Sequence, residues 1–351
     1  LIGGGGWDMA GRRPGRAGVA AFVAAAEAAG IPVTAAFRRN DLIDNLSPAW
    51  IGDAGLGKIP PVRRALAETD CLLAVNERFG EITTDGYTTL SPPHMRPPLI
   101  HVHPSSGELG KVFQGGEHIQ AAPDAFLSAL AGHDLGGPGR GDWMAGLRRD
   151  YEASLEPPEQ TGPVDMRAVM RHLREALPDD AIVTNGAGNF AIWPGKQLPF
   201  RPGQRWLAPQ AGAMGAGLPA AVAAKIARPD AVVVCFAGDG DLQMTMTELG
   251  TAMQHDARPI VLVLDNASYG TIRMHQEREY PGRVSATGNA NPDFCAIARA
   301  YGMLAERLER TEDFAPAFER AVASPTGALI AIPIPVEQIT PARRLSEIRG
   351  G

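Results

Sequence analysis

The chain has 351 residues, enough for two domains of ordinary size that each bury a core. Hydrophobic residues make up 44% and charged residues 21%, and the net charge is −6 with no run of Lys and Arg, which excludes a nucleic-acid-binding stripe. No apolar stretch reaches the roughly 20 residues that cross a bilayer; the longest candidate, residues 17–31, carries Glu27 and reads as a soluble helix.

In chain order, Leu1-Ile2 runs into the glycines at 3–6 as a strand tail meeting a turn. An Ala-rich helix over 16–29 is stopped by Gly30 and Pro32, and 33–37 reads as the next strand. A helix at 61–69, strands at 71–75 and 99–102, and a helix at 123–131 follow. Residues 132–141 are rich in Gly and Pro, 143–155 reads as a helix, and 156–163 is a Pro-rich loop. The second half repeats the alternation. It has helices at 164–177, 219–226, 294–301 and 311–323, and strands at 181–184, 231–237, 260–265 and 329–334. Residues 231–237 (Ala-Val-Val-Val-Cys-Phe-Ala) are continuously apolar, as a strand covered on both faces must be. This alternation specifies an α/β fold with two doubly wound parallel-sheet domains, which bind ligands beyond the carboxyl ends of their strands.

Cys71, Cys235 and Cys295 are odd in number, far apart and lack CxxC spacing. They are expected as small apolar residues in a reducing cytoplasm, not as disulfides or zinc ligands.

The chemistry gathers at two strand ends. Gly238-Asp239-Gly240 follows the apolar strand, and only small residues make such a turn. Gly240 lets the backbone approach a phosphate, with the N–H groups of a following helix aimed at it. Thr245-Met246-Thr247-Glu248 has the form of a capping box for that helix. Asp239 is a hard oxygen ligand, and the next strand ends at Asp265-Asn266, so an amide oxygen joins it at one sheet edge. That pair suits Mg²⁺, whose octahedral shell diphosphate oxygens and water complete.

Gly238-Asp239-Gly240, then 241–265, then Asn266, resembles the signature of thiamine-diphosphate-dependent enzymes, and the stretch 210–221 resembles a segment of acetolactate-synthase-like members. The family often ends the signature Asn-Asn; here it is Asp265-Asn266, with the ligating Asn kept. The resemblance implies three metal ligands: the Asp239 and Asn266 side chains and the Ser268 carbonyl. It places Gly238, Gly240, Asp241, Gly270, Thr271 and Ile272 around the cofactor, and His275 near the substrate channel. The stretch 210–221 resembles the loop that cradles the aminopyrimidine. Met214 then lies under the bend that folds the cofactor into a V, and the Gly212 carbonyl accepts from the pyrimidine amino group. In the turn at 185–190, Asn189-Phe190 stands where relatives carry Gln-His at the diphosphate. Asn189 keeps a donor there and Phe190 does not.

The first half, through residues 76–87 and His101-Val102-His103-Pro104, resembles the central domain of the same superfamily. The division expected is a Rossmann-like central domain at 1–150, a linker at 151–163 and a thiamine-diphosphate-binding domain at 164–351. Acetolactate synthases hold FAD beside a stretch matching 76–81, with acidic and arginine residues after an Arg-Phe pair. Here Arg78-Phe79 is followed by Gly80-Glu81-Ile82, so FAD is expected to be absent. The activity implied is carboligation or decarboxylation of 2-oxo acids. The catalytic Glu of the family lies on a separate pyrimidine-binding domain, which no segment here matches. The expectation is therefore a longer polypeptide, with a further domain of roughly 150–200 residues. Each site would be shared between subunits of a homodimer or homotetramer, and the isolated chain would be inactive.

Two alternatives compete. A nicotinamide dehydrogenase would use the glycines at 3–6, but it needs an acidic residue after the second strand, and Phe37-Arg38-Arg39-Asn40 is basic. A non-catalytic cofactor-binding or assembly subunit would bind the cofactor without turnover.

Overall fold

The computed structural model describes residues 1–3, 17–137 and 139–349. Most of the glycine turn expected at 3–6 lies outside them. The chain divides into two compact units, Leu1–Leu155 with Pro199–Pro202, and Glu156–Leu198 with Gly203–Gly351. Among the described residues, no helix is long and apolar enough to cross a membrane.

The first unit is built on a parallel sheet. Its strands are β1 (Val33–Ala35), β2 (Trp50–Asp53), β3 (Leu72–Val75), β4 (Leu99–His103) and β5 (Glu117–Gln120). β1 pairs with β2, and β3, β4 and β5 pair in turn. Ile2 bridges Ala35 on one side and Val75 on the other, so it joins the two sets. The helices Ala17–Ala28 and Pro123–Leu130 cross closely at Gly18. A Cβ there would lie 2.2 Å from the Asp124 carbonyl oxygen, and the Gly18 amide donates to Asp124 Oδ1 at 2.8 Å. Arg148, on the helix Arg140–Ser154, donates one Nη1 to the carbonyls of Asn45, Ser47 and Trp50. Phe79, from the stretch 76–87, is buried with its ring edge-on to His101 and Phe113.

Among the described residues the second unit has six parallel strands: β6 (Ile182–Asn185), β7 (Arg205–Leu207), β8 (Val233–Gly238), β9 (Ile260–Asp265), β10 (Leu304–Arg307) and β11 (Ala328–Pro333). Their spatial order is β10-β11-β9-β8-β6-β7. β8 is buried along its whole length and β9 along all but its last residue, which their uninterrupted apolar sequences require. From β6 the chain moves outward to β7; from β8 it moves the other way, to β9. The order thus reverses between β6 and β8, where α/β sheets open a crevice. The register pairs Asn185 with Phe236, Gly238 with Leu264, and Asp265 with Pro333. The segments leaving β6, β8, β9 and β11 therefore emerge at one edge.

Three expectations need correction. The short helix at the glycine turn is Asp239–Gln243, so it begins at Asp239 and not after Gly240. The chain goes on turning through 244–247, so no helix start exists at Thr245 for a capping box. The helix Glu248–Gln254 has no side-chain cap, and the Thr245 hydroxyl donates instead to the Gly215 carbonyl at 2.8 Å. Cys71 is exposed just before β3, whereas Cys235 and Cys295 are buried; burial pushes the Cys235 thiol up to about 12, which makes it inert.

Candidate functional site

A cavity of about 270 Å³ opens at the edge where β6, β8, β9 and β11 end. It brings together Asn189, Gly212, Met214, Gly238, Asp239, Gly240, Asp241, Asn266, Ser268, Gly270, Thr271 and Ile272. His275 is not among its lining residues. It is exposed on the helix Gly270–Glu279, with Nδ1 at 2.8 Å from the Arg278 guanidinium.

Asp239 is only 2% exposed. Its Oδ2 accepts from the Ser268 amide at 3.1 Å, Asn291 Nδ2 at 2.7 Å and Asn289 Nδ2 at 3.2 Å. Among the described residues, Oδ1 takes no hydrogen bond. The same Ser268 amide donates to Asn266 Oδ1 at 3.0 Å, so the Asp239 and Asn266 oxygens converge on one point. The backbone reaches Ser268 through Ala267, which sits at φ +50°, and the Ser268 hydroxyl anchors the turn on the Thr287 carbonyl at 2.8 Å.

The glycines keep this wall bare. A Cβ on Gly240 would lie 2.6 Å from the Tyr269 ring, and one on Gly238 would lie 2.6 Å from the Phe190 ring. Gly212 turns at φ +69°, and beside it Met214 is 36% exposed. Among the described residues the lining contains two carboxylates and no Lys, Arg or His. A polyanion entering here must bring its positive charge as a cation, and the hard oxygens of Asp239, Asn266 and Ser268 are donors that suit Mg²⁺.

Asn189 is placed differently from its expected role as a diphosphate donor. Its Nδ2 donates to the Ile339 carbonyl at 2.9 Å and to Met274 Sδ at 3.6 Å, and its Oδ1 accepts from the Thr271 hydroxyl at 2.9 Å. It lines the cavity as a staple between the turn after β6, the helix Gly270–Glu279 and the C-terminal segment. Trp193, Ile334, Gln338 and Ile339 also line the cavity and were not singled out by sequence. The last three follow β11, whose exit beside β9 was the available signal.

Residues 186–332 match the family model described as "Thiamine pyrophosphate enzyme, C-terminal TPP binding domain", and residues 1–130 match the model of the central domain of the same enzymes. The chain belongs to the thiamine pyrophosphate enzymes. It is similar to the acetolactate synthase isozyme 1 large subunit of Escherichia coli (strain K12), with 28% identity over 318 residues covering 89% of this chain and 56% of that protein. The acetolactate synthase large subunit of Parasynechococcus marenigrum (strain WH8102) is 29% identical over 312 residues, 86% of this chain and 49% of that protein. The mitochondrial acetolactate synthase catalytic subunit of Saccharomyces cerevisiae (strain ATCC 204508 / S288c) is 25% identical over 317 residues, 87% and 46% respectively. The chain spans about half the length of the curated relatives it matches.

In this chain the C-terminal segment closes one side of the cavity and is latched from outside. Ile339, Leu345 and Ile348 pack together against Met274. Glu277, with its side chain fully buried, accepts from the Arg349 guanidinium and from the Gly282 amide at 2.9 Å. Arg349, and secondly the Gly282 amide, hold the Glu277 carboxyl down at about 2, against an ordinary 4.5. A depressed carboxyl stabilises the fold in full above its unfolded value and loses that contribution as pH falls through the folded one. Glu277→Gln is therefore expected to lower the melting temperature at pH 7 by a few degrees. The gap between variant and parent should close between pH 4.5 and about 2, the span between those two values. Calorimetric melts across that range check it; a gap that stays constant would remove Glu277 as the latch.

Proposed function

We propose that this chain forms the diphosphate and metal side of a thiamine diphosphate site in a carboligase or decarboxylase of 2-oxo acids, similar to acetolactate synthase. The observation that carries the reading is the convergence of Asp239 and Asn266 beside Ser268, over a glycine wall without a cation. Asp239, Asn266 and the Ser268 carbonyl hold Mg²⁺, while Gly238 and Gly240 let the diphosphate reach the backbone. Gly212 and Met214, which line the same cavity, would hold the aminopyrimidine end. Bound there, the cofactor supplies a carbon nucleophile for the keto group of a 2-oxo acid and an electron sink for loss of CO₂. The apolar lining, Phe190, Trp193, Ile334 and Ile339, keeps water from that chemistry. Met214, Met244 and Ile272 leave apolar surface exposed, 36%, 53% and 50%, which suits cover by the pyrimidine-binding domain of a second subunit.

The test is a calorimetric titration of thiamine diphosphate into the chain with Mg²⁺ and with a chelator. CO₂ release from pyruvate is then assayed with a pyrimidine-binding domain supplied in trans. Saturable binding that needs Mg²⁺, followed by CO₂ release, is expected. Binding that ignores the metal counts against the site. Metal-dependent binding without release from any 2-oxo acid favours a non-catalytic cofactor-binding subunit.

A further inference from the structure

Asp241 lies two residues beyond the proposed metal ligand, yet its carboxylate turns toward the protein. It is 3% exposed. Its Oδ1 accepts from the Ala187 amide at 3.0 Å and from the Gly215 amide at 2.8 Å. These amides belong to two different loops. One is the turn after β6, on the diphosphate side; the other is the glycine loop before the helix Gly217–Ala227, on the aminopyrimidine side. Neither amide sits in a sheet ladder, and a buried amide needs a partner. One acceptor oxygen serves both.

The surrounding residues are shaped for this contact. A Cβ on Gly186 would fall 1.9 Å from Asp241 Oδ1, and one on Gly217 would fall 2.7 Å from the Gly186 amide nitrogen. Gly215 turns at φ +78°, and its carbonyl is held by Thr245. The Thr184 hydroxyl donates to the Gly217 carbonyl at 2.8 Å. The two loops thus meet backbone to backbone, with the Asp241 side chain between them.

We propose that Asp241 is a positioning residue. It ties the turn after β6 to the loop that carries Gly212 and Met214, and so sets the spacing between the diphosphate and aminopyrimidine ends of the cavity. This rests on the cofactor reading above, but its first test does not. In the cofactor-free protein, Asp241→Ala should raise amide hydrogen exchange at Ala187 and Gly215 on the order of tenfold or more, as loss of a buried acceptor implies, while β9 and β11 keep their protection. Asp241→Asn keeps an acceptor oxygen and should change that exchange less than threefold.

Calorimetry with Mg²⁺ and thiamine diphosphate supplies the second arm. Asp241→Ala should weaken the cofactor on the order of tenfold, with Asp241→Asn recovering most of the loss. Unchanged exchange at both amides in Asp241→Ala overturns the proposal, whatever the cofactor does. Equal losses in the Ala and Asn variants, together with a raised Mg²⁺ requirement, overturn it in favour of direct metal ligation. If Asp241→Ala does not fold, Asp241→Glu, which displaces the carboxylate by one methylene, is read by the same two measurements.

Discussion

Asp239→Ala is expected to abolish Mg²⁺-dependent binding of thiamine diphosphate, with a loss of at least a hundredfold in affinity, beyond the roughly 10–100-fold typical of outer-shell changes at metal sites. Among the described residues the cavity lining holds no Lys, Arg or His, so the charge of a diphosphate is to be met by the bound ion. Of the three proposed protein ligands only Asp239 is charged, and its Oδ1 takes no hydrogen bond among the described residues. Without it, two neutral oxygens remain for the ion. Asn266→Ala keeps the charge and should cost less, about tenfold. Asp239 also receives the Ser268 amide and the Asn289 and Asn291 amides, so alanine loosens that turn as well. Asp239→Asn preserves the shape and separates the two effects; it should fold with near-parental stability and still bind the cofactor poorly. Calorimetry on all three variants decides, and unchanged affinity in Asp239→Ala would sink the metal assignment.

The sequence showed the strands that the core covers on both sides and hid the ones at the edges. β9, Ile-Val-Leu-Val-Leu-Asp, was read at its observed bounds, and β8 was read to within two residues, because a strand buried on both faces is apolar at every position. The strands that were not read are β2, β5, β7 and β10. β2 and β5 are the outermost strands of the first unit, and β7 and β10 those of the second. Each is short, and each carries a charged residue: Asp53 in β2, Glu117 in β5, Arg205 in β7, Glu306 and Arg307 in β10. β2 is broken by Gly52 at φ +107°. Edge strands tolerate and even favour such residues, so they lack the apolar run that marks a strand.

The site follows the same division. Asp239 and Asn266 were legible as neighbours because each directly follows a central strand, and adjacent strand ends must meet. The use of Asn189 was not, because its partner Ile339 lies 150 residues away in a segment without periodicity. The spent Thr245 hydroxyl and the tied Asp241 carboxylate depend in the same way on a glycine loop whose path no local pattern encodes.

Gly238→Ala is expected to empty the cavity of cofactor by a purely steric route. At φ −83° and ψ 160° the backbone of Gly238 is open to any residue, so no conformational strain enters. The added methyl would lie 2.6 Å from Phe190 Cδ1 and 2.9 Å from Cε1. Gly238 ends β8 in register with Leu264 of β9, between covered strands, so its backbone cannot retreat. The ring has to move, and Phe190 already lines the cavity. Overpacking of this kind costs about 1–3 kcal/mol. If that cost falls on the bound state, cofactor affinity drops by roughly ten- to hundredfold. Phe190→Ala removes the obstacle, and alone it should change affinity little, since Phe190 has no proton to give a phosphate. The double variant Gly238→Ala/Phe190→Ala should then recover to within a few-fold of the parent, a large coupling between residues in contact. Titrations of thiamine diphosphate with Mg²⁺ into the parent, both single variants and the double measure that coupling. A double variant that binds no better than Gly238→Ala would mean that the methyl blocks the diphosphate itself and not the ring.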